Sequence, residues 1–261
     1  DAYDLTAYIQ QGENVVGLML GNGFQNNIDT VWDFDEGKHN AAPMMALNLQ
    51  VGNQKYTAED FVWAPSEVIF DNYRCGVHVD ARRKIDGGRD VDLDDSDGRT
   101  RISVMSPRGE KLVGEAEPIV KLREIEPVSI RKSNLLSSPA RADVIEETSE
   151  KNIISVPIAH DDGYLFDFGV NTAGIFRFKI KGDPGQRLVF QMSERSTAGD
   201  ADPTNISFFY PEGYGQRDVY ICRGDVEGES FVPPFTYHGF RYIYVSGLKE
   251  EQIKDVELVL I

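Results

Sequence analysis

Cysteine is almost absent from this sequence. Cys75 and Cys222 are the only two, and they lie far apart in the chain. That excludes a disulfide framework and a cysteine-based zinc site, and two buried thiols are the ordinary reading. Long apolar runs are missing too: no stretch approaches the roughly 20 residues that a bilayer-spanning helix needs. Helical periodicity is scarce from end to end. Positive charge is in deficit, with 27 Lys and Arg against 43 Asp and Glu and a formal net charge of −16. Such a balance argues against nucleic acid and against membrane as partners. No charged-then-apolar leader opens the chain. The chain starts without Met and in mid-pattern, as an excised segment would, so the compartment stays open. The cytoplasm is favoured over the periplasm or the exterior.

The usual catalytic and metal signatures are also missing. His39, His78, His160 and His238 are scattered, and no pair has metal-binding helical spacing. A satisfied or surface histidine is the ordinary reading of each. There is no Gly-x-Ser-x-Gly elbow, Walker loop or dinucleotide fingerprint. The acidic loop with Asp90, Asp92, Asp94, Asp95 and Asp97 invites calcium. With Gly98 as the loop glycine, however, the first and last EF-hand ligand positions fall on Leu93 and Val104, which cannot ligate. Asp162-Gly163 is a turn before it is anything else. With so many acidic residues, no carboxylate pair is singled out for glycoside chemistry.

What the sequence does have is strands. Hydrophobic residues make up 41 % of 261 positions, enough for a sizeable core. The strongest segment is Tyr237 to Val245, aromatic and aliphatic from Phe240 onward except for Arg241. That is the composition of a strand covered on both faces, an inner strand of a sheet. Pro233 and Pro234 mark the way in, and Gly239 suggests a bulge or a close backbone approach. Val15 to Gly21 reads as a buried strand, with Asn22-Gly23 turning after it. Shorter strands are expected at residues 44–51, 61–63, 68–70, 165–168, 174–180, 187–192, 218–222 and 256–261. Residues 24–42 and 196–214 read as long loops, and 134–152 as a linker or long hairpin. The fold class is therefore all-β, with two consecutive jelly-roll-like β-sandwiches, residues 1–130 and 131–261.

Five stretches together resemble the bacterial α-L-rhamnosidases of glycoside hydrolase family 78. The first is Tyr3-Asp4-Leu5-Thr6 with Gly12-Glu13-Asn14-Val15-Val16-Gly17-Leu18-Met19-Leu20-Gly21-Asn22-Gly23-Phe24. The second runs from Phe70-Asp71-Asn72-Tyr73-Arg74 to Asp80-Ala81-Arg82. The third is Ala116-Glu117-Pro118-Ile119 with Pro127-Val128, and the fourth is Phe166-Asp167-Phe168-Gly169-Val170-Asn171-Thr172-Ala173-Gly174. The fifth is Phe235-Thr236-Tyr237-His238-Gly239-Phe240-Arg241-Tyr242. Their order along nearly the whole chain makes the resemblance specific. Val77 and Val79 depart from it, standing where Glu and Tyr are usual.

The resemblance implies two accessory β-sandwiches, the family's N-terminal and concanavalin-like domains. In such enzymes an (α/α)6 barrel follows, where a general acid and a general base hydrolyse rhamnosides with inversion. No catalytic residue is therefore expected in this chain. The implied partners are that barrel and a rhamnose-containing carbohydrate. No cofactor is certain. Calcium is the one candidate, since some relatives hold L-rhamnose through a calcium ion in a sandwich. Carbohydrate-binding candidates are Asn22, Asn26, Asn27, Asp29, Trp32, Asp71, Asn72 and Asn205, with the loop from Asp202 to Tyr210 best suited to reach across a cleft. Trp63 is a further stacking candidate, although beside Phe61 it reads first as core. Asp80, Arg82, Asp167, Asn171, Tyr237, His238 and Arg241 read as structural, with Arg82 forked onto Asp80 and Arg241 stacked or paired with a buried carboxylate. Two other functions stand beside the scaffold reading: a stand-alone calcium-dependent rhamnose-binding module, and a structural interaction domain.

Overall fold

The computed structural model describes residues 3–23, 43–72, 75–84, 100–101, 123–136, 161–207 and 216–261. Its strands run in chain order as β1 (Asn48–Val51), β2 (Gln54–Thr57), β3 (Val62–Trp63), β4 (Val68–Asn72), β5 (Gly76–Asp80), β6 (Thr100–Arg101), β7 (Ser129–Ser133) and β8 (Gly163–Gly174). They continue as β9 (Phe176–Ile180), β10 (Arg187–Ser193), β11 (Arg195–Thr197), β12 (Asp200–Asp202), β13 (Arg217–Ile221), β14 (Glu229–Phe231), β15 (His238–Ser246) and β16 (Glu257–Leu260). Among the described residues the only α-helix is α1 (Thr204–Ser207), with short 3-10 turns elsewhere. The chain is all-β, as its strand-length patterns predict.

Two compact units alternate along the chain. The first takes Asp1–Leu20, Met44–Ser66 and Lys84–Lys121, and the second takes Gly21–Pro43, Glu67–Arg83 and Leu122–Ile261. In the first unit β1 and β2 form an antiparallel hairpin across Gly52-Asn53, and β3 pairs antiparallel with β6. Two expectations fail here. Val15 to Gly21 is not a strand, and Leu18, Met19 and Leu20 are exposed. Among the described residues no strand lies alongside that run, and an extended segment with no partner cannot close a ladder. Trp63 is not core either: it is 51 % exposed on its two-residue strand.

The second unit is a β-sandwich. Its larger sheet has seven strands in the order β4-β5-β13-β10-β15-β8-β7, and its smaller sheet has three, β14-β9-β16. Neighbours in the larger sheet are antiparallel except β5 and β13, which run parallel with His78 opposite Val219. β15 lies inside the sheet between β10 and β8, as its composition requires. The core between the sheets is aromatic. Phe166, Phe176, Phe178, Phe190, Phe231 and Phe240 are buried there with Leu188, Met192 and Leu258. Phe176 and Phe178 flank Phe190 at ring-centroid distances of 4.8 and 4.9 Å, and Tyr220 stacks on Phe231 at 4.9 Å. Fully burying each such ring is worth about 1.5–3 kcal/mol. Alternation sends the other residues of the same strands to the opposite face, where Leu165, Val189, Val219, Ile221, Tyr242 and Tyr244 make a second, smaller cluster.

The stretch 196–214, expected as one loop, is partly ordered structure. β11 and β12 pair across it, and α1 follows. Asp202 is the reason. Its carboxylate accepts from Arg195 Nε, Thr197 Oγ1 and both the backbone N–H and the hydroxyl of Thr204. Burial raises the Asp202 pKa, but these donors outweigh it and hold the group down at about 2. Asn26, Asn27, Asp29, Trp32, Tyr73, Arg74, the Asp90–Asp97 loop, the 116–119 motif, residues 137–160 and the aromatic end of the loop, Phe208 to Tyr210, lie outside the described residues.

Candidate functional site

Three of the five sequence motifs converge at one end of the sandwich. β15 begins there, led in by residues 232–237. Phe235 takes a left-handed backbone conformation, φ +63°, and its ring lies over Gly21. A Cβ on Gly21 would sit 2.5 Å from Phe235 Cγ, so only glycine admits the ring. The next residue, Asn22, is tied to β4. Its backbone N–H donates to Asp71 Oδ2 at 2.7 Å, and its Nδ2 donates to Asp71 Oδ1 at 2.9 Å and to the Asp71 carbonyl at 3.1 Å. Burial raises the Asp71 pKa, against the lowering effect of the Asn22 N–H. Asn72 is buried, and its Oδ1 accepts the Cys75 N–H at 3.1 Å, closing the β4–β5 turn.

These contacts bear on calcium. The cation takes 6–8 oxygen ligands. Here each Asp71 carboxylate oxygen and Asn72 Oδ1 already accepts one N–H hydrogen bond, which leaves each a single lone pair for any cation. Among the described residues no group of three or more His, Cys, Asp or Glu side chains is placed to hold a metal ion.

The strand itself carries two polar pairs. β8 and β15 change register between Phe240 and Tyr242, which pair with Thr172 and Asp167 respectively. The extra β8 residues bulge out opposite Arg241, with Gly169 at φ +73°. Arg241 grips the base of that bulge: Nε and a terminal nitrogen reach the two Asp167 oxygens at 2.9 and 3.0 Å. The guanidinium also lies 4.9 Å from the centre of the Tyr242 ring. Gly169 N–H donates to Asp167 Oδ1 at 2.7 Å. The Arg241 hydrogen bonds, helped by that N–H, hold the Asp167 pKa below the ordinary range despite partial burial. The expected Gly239 bulge thus falls one residue on, at Phe240 to Tyr242.

The second pair was not legible from motifs alone. His238 points into the sandwich, where its Nε2 lies 3.2 Å from Asp218 Oδ2. A carboxylate accepts, so this contact is a hydrogen bond in the tautomer with the proton on Nε2. The other Asp218 oxygen accepts the Val77 N–H at 2.8 Å. Both side chains are sealed from solvent, so the pair braces β5, β13 and β15 and has no route to a substrate. A charged doublet, Arg217-Asp218, inside an otherwise apolar strand was the available signal. At the far end of β5, Arg82 forks onto Asp80 at 2.8 and 2.9 Å, as expected. Asn205, on α1, donates from Nδ2 to Glu194 Oε2 at 3.1 Å. Asn171 lies on β8 within its bulge, and Tyr237 is exposed. A polar cleft of about 190 Å³ lies elsewhere, between Lys132, Asn134, Asp161, Asp162 and Asp200, and none of the candidates lines it.

Comparison with known proteins fits this picture. Residues 1–124 match the family model of the α-L-rhamnosidase N-terminal domain. Residues 158–261 match that of the bacterial α-L-rhamnosidase concanavalin-like domain. Together the two matches, in this order, place the chain in the bacterial α-L-rhamnosidase family, with these two of its domains present. An α-L-rhamnosidase of Formosa agariphila is 26 % identical over 271 residues, covering 97 % of this chain and 25 % of that protein. One from Streptomyces avermitilis is 23 % identical over 252 residues, covering 94 % of this chain and 21 % of its own length. The chain thus spans about a quarter of the length of these relatives. Among solved structures, the α-L-rhamnosidase from Dictyoglumus thermophilum superposes with TM-score 0.59 at 23 % identity, over 80 % of this chain and 20 % of that one. The Aspergillus terreus enzyme gives TM-score 0.58 at 19 % identity, over 83 % and 22 %. At these identities the likeness is one of fold.

Proposed function

We propose that this chain is the non-catalytic β portion of an α-L-rhamnosidase, a glycoside hydrolase that releases terminal α-L-rhamnose. The observation that carries the reading is the ordered pair of family matches on a chain a quarter as long as its relatives. Its role is to scaffold an (α/α)6 catalytic barrel elsewhere in the parent protein, where hydrolysis proceeds with inversion. The first unit offers material for a docking role, because Leu18, Met19, Leu20, Met44, Val62 and Trp63 are each exposed on it. The strongly acidic balance fits a neutral sugar substrate and disfavours nucleic acid or anionic membrane as partners. A calcium-dependent rhamnose module is the weaker alternative, since among the described residues no group of three or more His, Cys, Asp or Glu side chains is placed to hold a metal ion.

The test is turnover of an aryl α-L-rhamnoside. The parent protein hydrolyses it and first releases the inverted anomer, seen by NMR, whereas the pure chain gives no turnover. Hydrolysis by the chain alone overturns the reading.

A further inference from the structure

We propose that a shelf at the head of β15, built from Glu194, Asn205, Tyr237 and Gly239, is a contact site for a neutral sugar ring. The choice of L-rhamnose as its ligand rests on the function proposed above. The shelf itself rests on geometry.

His238 and Phe240 are buried, with Phe240 in the core between the two sheets. Alternation therefore turns Gly239 to the opposite face; Tyr237 lies two residues before it, at the entry to the strand, and Arg241 lies beyond it at the register shift. Tyr237 is 69 % exposed, an aromatic residue open to solvent close by in the chain. Gly239 leaves the middle open: the nearest atom to a Cβ built there is Glu194 Oε1, at 3.9 Å. Arg241 follows at the register shift, its guanidinium already committed to Asp167 and Tyr242. Its charge is thus spent locally.

Glu194 is the acceptor of the shelf. Asn205 Nδ2 donates to its Oε2, which fixes the carboxylate, while Oε1 accepts no hydrogen bond among the described residues. Asn205 Oδ1 is buried without a partner, so the cluster is short of a donor. What completes it must donate hydrogen bonds, carry an apolar face for the tyrosine ring, and bear no negative charge beside a free carboxylate. A single carboxylate is too little for a hard cation, which takes at least six oxygens. A polyhydroxylated, uncharged ring meets all three demands: neighbouring hydroxyls donate to Glu194, and its C–H face covers Tyr237 over the gap at Gly239.

The experiment is a titration of L-rhamnose into this chain, followed by amide chemical shifts, with D-glucose in parallel. The expected result is saturable shifts centred on Glu194, Asn205, Tyr237 and Gly239. Tyr237→Ala and Glu194→Gln each weaken binding by about tenfold, as loss of one good contact does, with the thermal midpoint unchanged. Asp71→Asn leaves binding unaltered. Absence of shifts at the shelf with either sugar overturns the proposal, as does binding that neither variant weakens. Either result leaves the family-based function intact. Shifts with D-glucose and none with L-rhamnose would keep the shelf as a sugar site and refute rhamnose as its ligand.

Discussion

The seven-stranded sheet has two faces that solve burial differently. The face turned to the small sheet is largely apolar, with interlocked phenylalanines; among the described residues Asp218 with His238 intrudes on it, and Glu229 of the small sheet reaches in to the Tyr220 hydroxyl. On the opposite face a modest apolar cluster shares the surface with His78, Gln191, Ser193 and Arg217, all buried. There Arg217 Nε donates to Gln191 Oε1 at 3.1 Å, and Gln191 Nε2 donates to the Gln216 carbonyl at 3.0 Å. His78 packs on Phe70 at a centroid distance of 4.6 Å, and neither ring nitrogen has a hydrogen-bond partner. The first face is held by non-directional burial and tolerates shape-preserving exchange. The second depends on particular donors and acceptors, and so it is sensitive to single atoms and to protons.

The sharpest break in that comparison is Phe190→Ala. Phe190, on the larger sheet, meets Phe176, Phe178 and Phe231 of the smaller one. Its truncation is expected to cost about 3–5 kcal/mol, read from the urea midpoint at constant slope. Phe190→Leu should recover much of this. On the polar-rich face the matching exchange, Gln191→Leu, keeps volume and yet strands the Arg217 Nε–H, so there shape does not rescue stability.

The proton sensitivity comes next. Burial, with Arg217 and Arg187 nearby, pushes the His78 pKa down to about 3. Unfolded, the imidazole titrates near 6.5. Below that pH the unfolded chain takes up a proton that the folded chain refuses, so stability declines as pH falls from about 6.5 toward 3. The loss by pH 4 is on the order of 3 kcal/mol. Asp202 acts in a lower window: its depressed pKa contributes stability above about 4 that is lost as pH falls through about 2. His78→Phe should therefore flatten the urea midpoint between pH 6.5 and 4 and leave the steeper loss below 4 in place. An unchanged profile in that variant would remove His78 as the cause.

Asp218→Ala tests the intrusion into the apolar face. It strands the Val77 N–H and the His238 ring, for a cost of about 1–3 kcal/mol. Asp218→Asn should recover part of it, because an amide oxygen can still accept.

Strands whose faces are decided by the sandwich were legible in the sequence. β8, β10 and β15 alternate or run apolar, and their lengths suit strands. The Arg241 and Arg82 carboxylate pairs were readable as well, because an arginine in a hydrophobic or strand-end setting needs a partner. Val15 to Gly21 was not, since hydropathy reports that a segment can be buried and not whether a neighbour strand exists to bury it. Trp63 failed for the same reason. The ties at the head of β15 escaped because Phe235 on Gly21, Asn22 on Asp71 and Asp218 on His238 join residues distant in sequence, and none has a local pattern. Glu194 looked like one acid among 43; only the gap at Gly239 distinguishes it.

The smallest expected effect belongs to Asn22→Ala. The position is half-buried, and its backbone N–H to Asp71 survives the change. What is lost toward Asp71 is the pair of Nδ2 bonds, for which the cost should be about 1 kcal/mol, a thermal shift of a few degrees. Gly21→Ala, one residue earlier, removes no hydrogen bond, but its methyl meets the Phe235 ring. If the convergence of motifs at β15 is held by close packing, Gly21→Ala is the more damaging of the two, and Phe235→Ala in the same chain restores part of the loss. If Asn22→Ala costs more, polar anchoring on β4 holds this end of the sandwich, and it belongs with the polar-rich face and not with the apolar one.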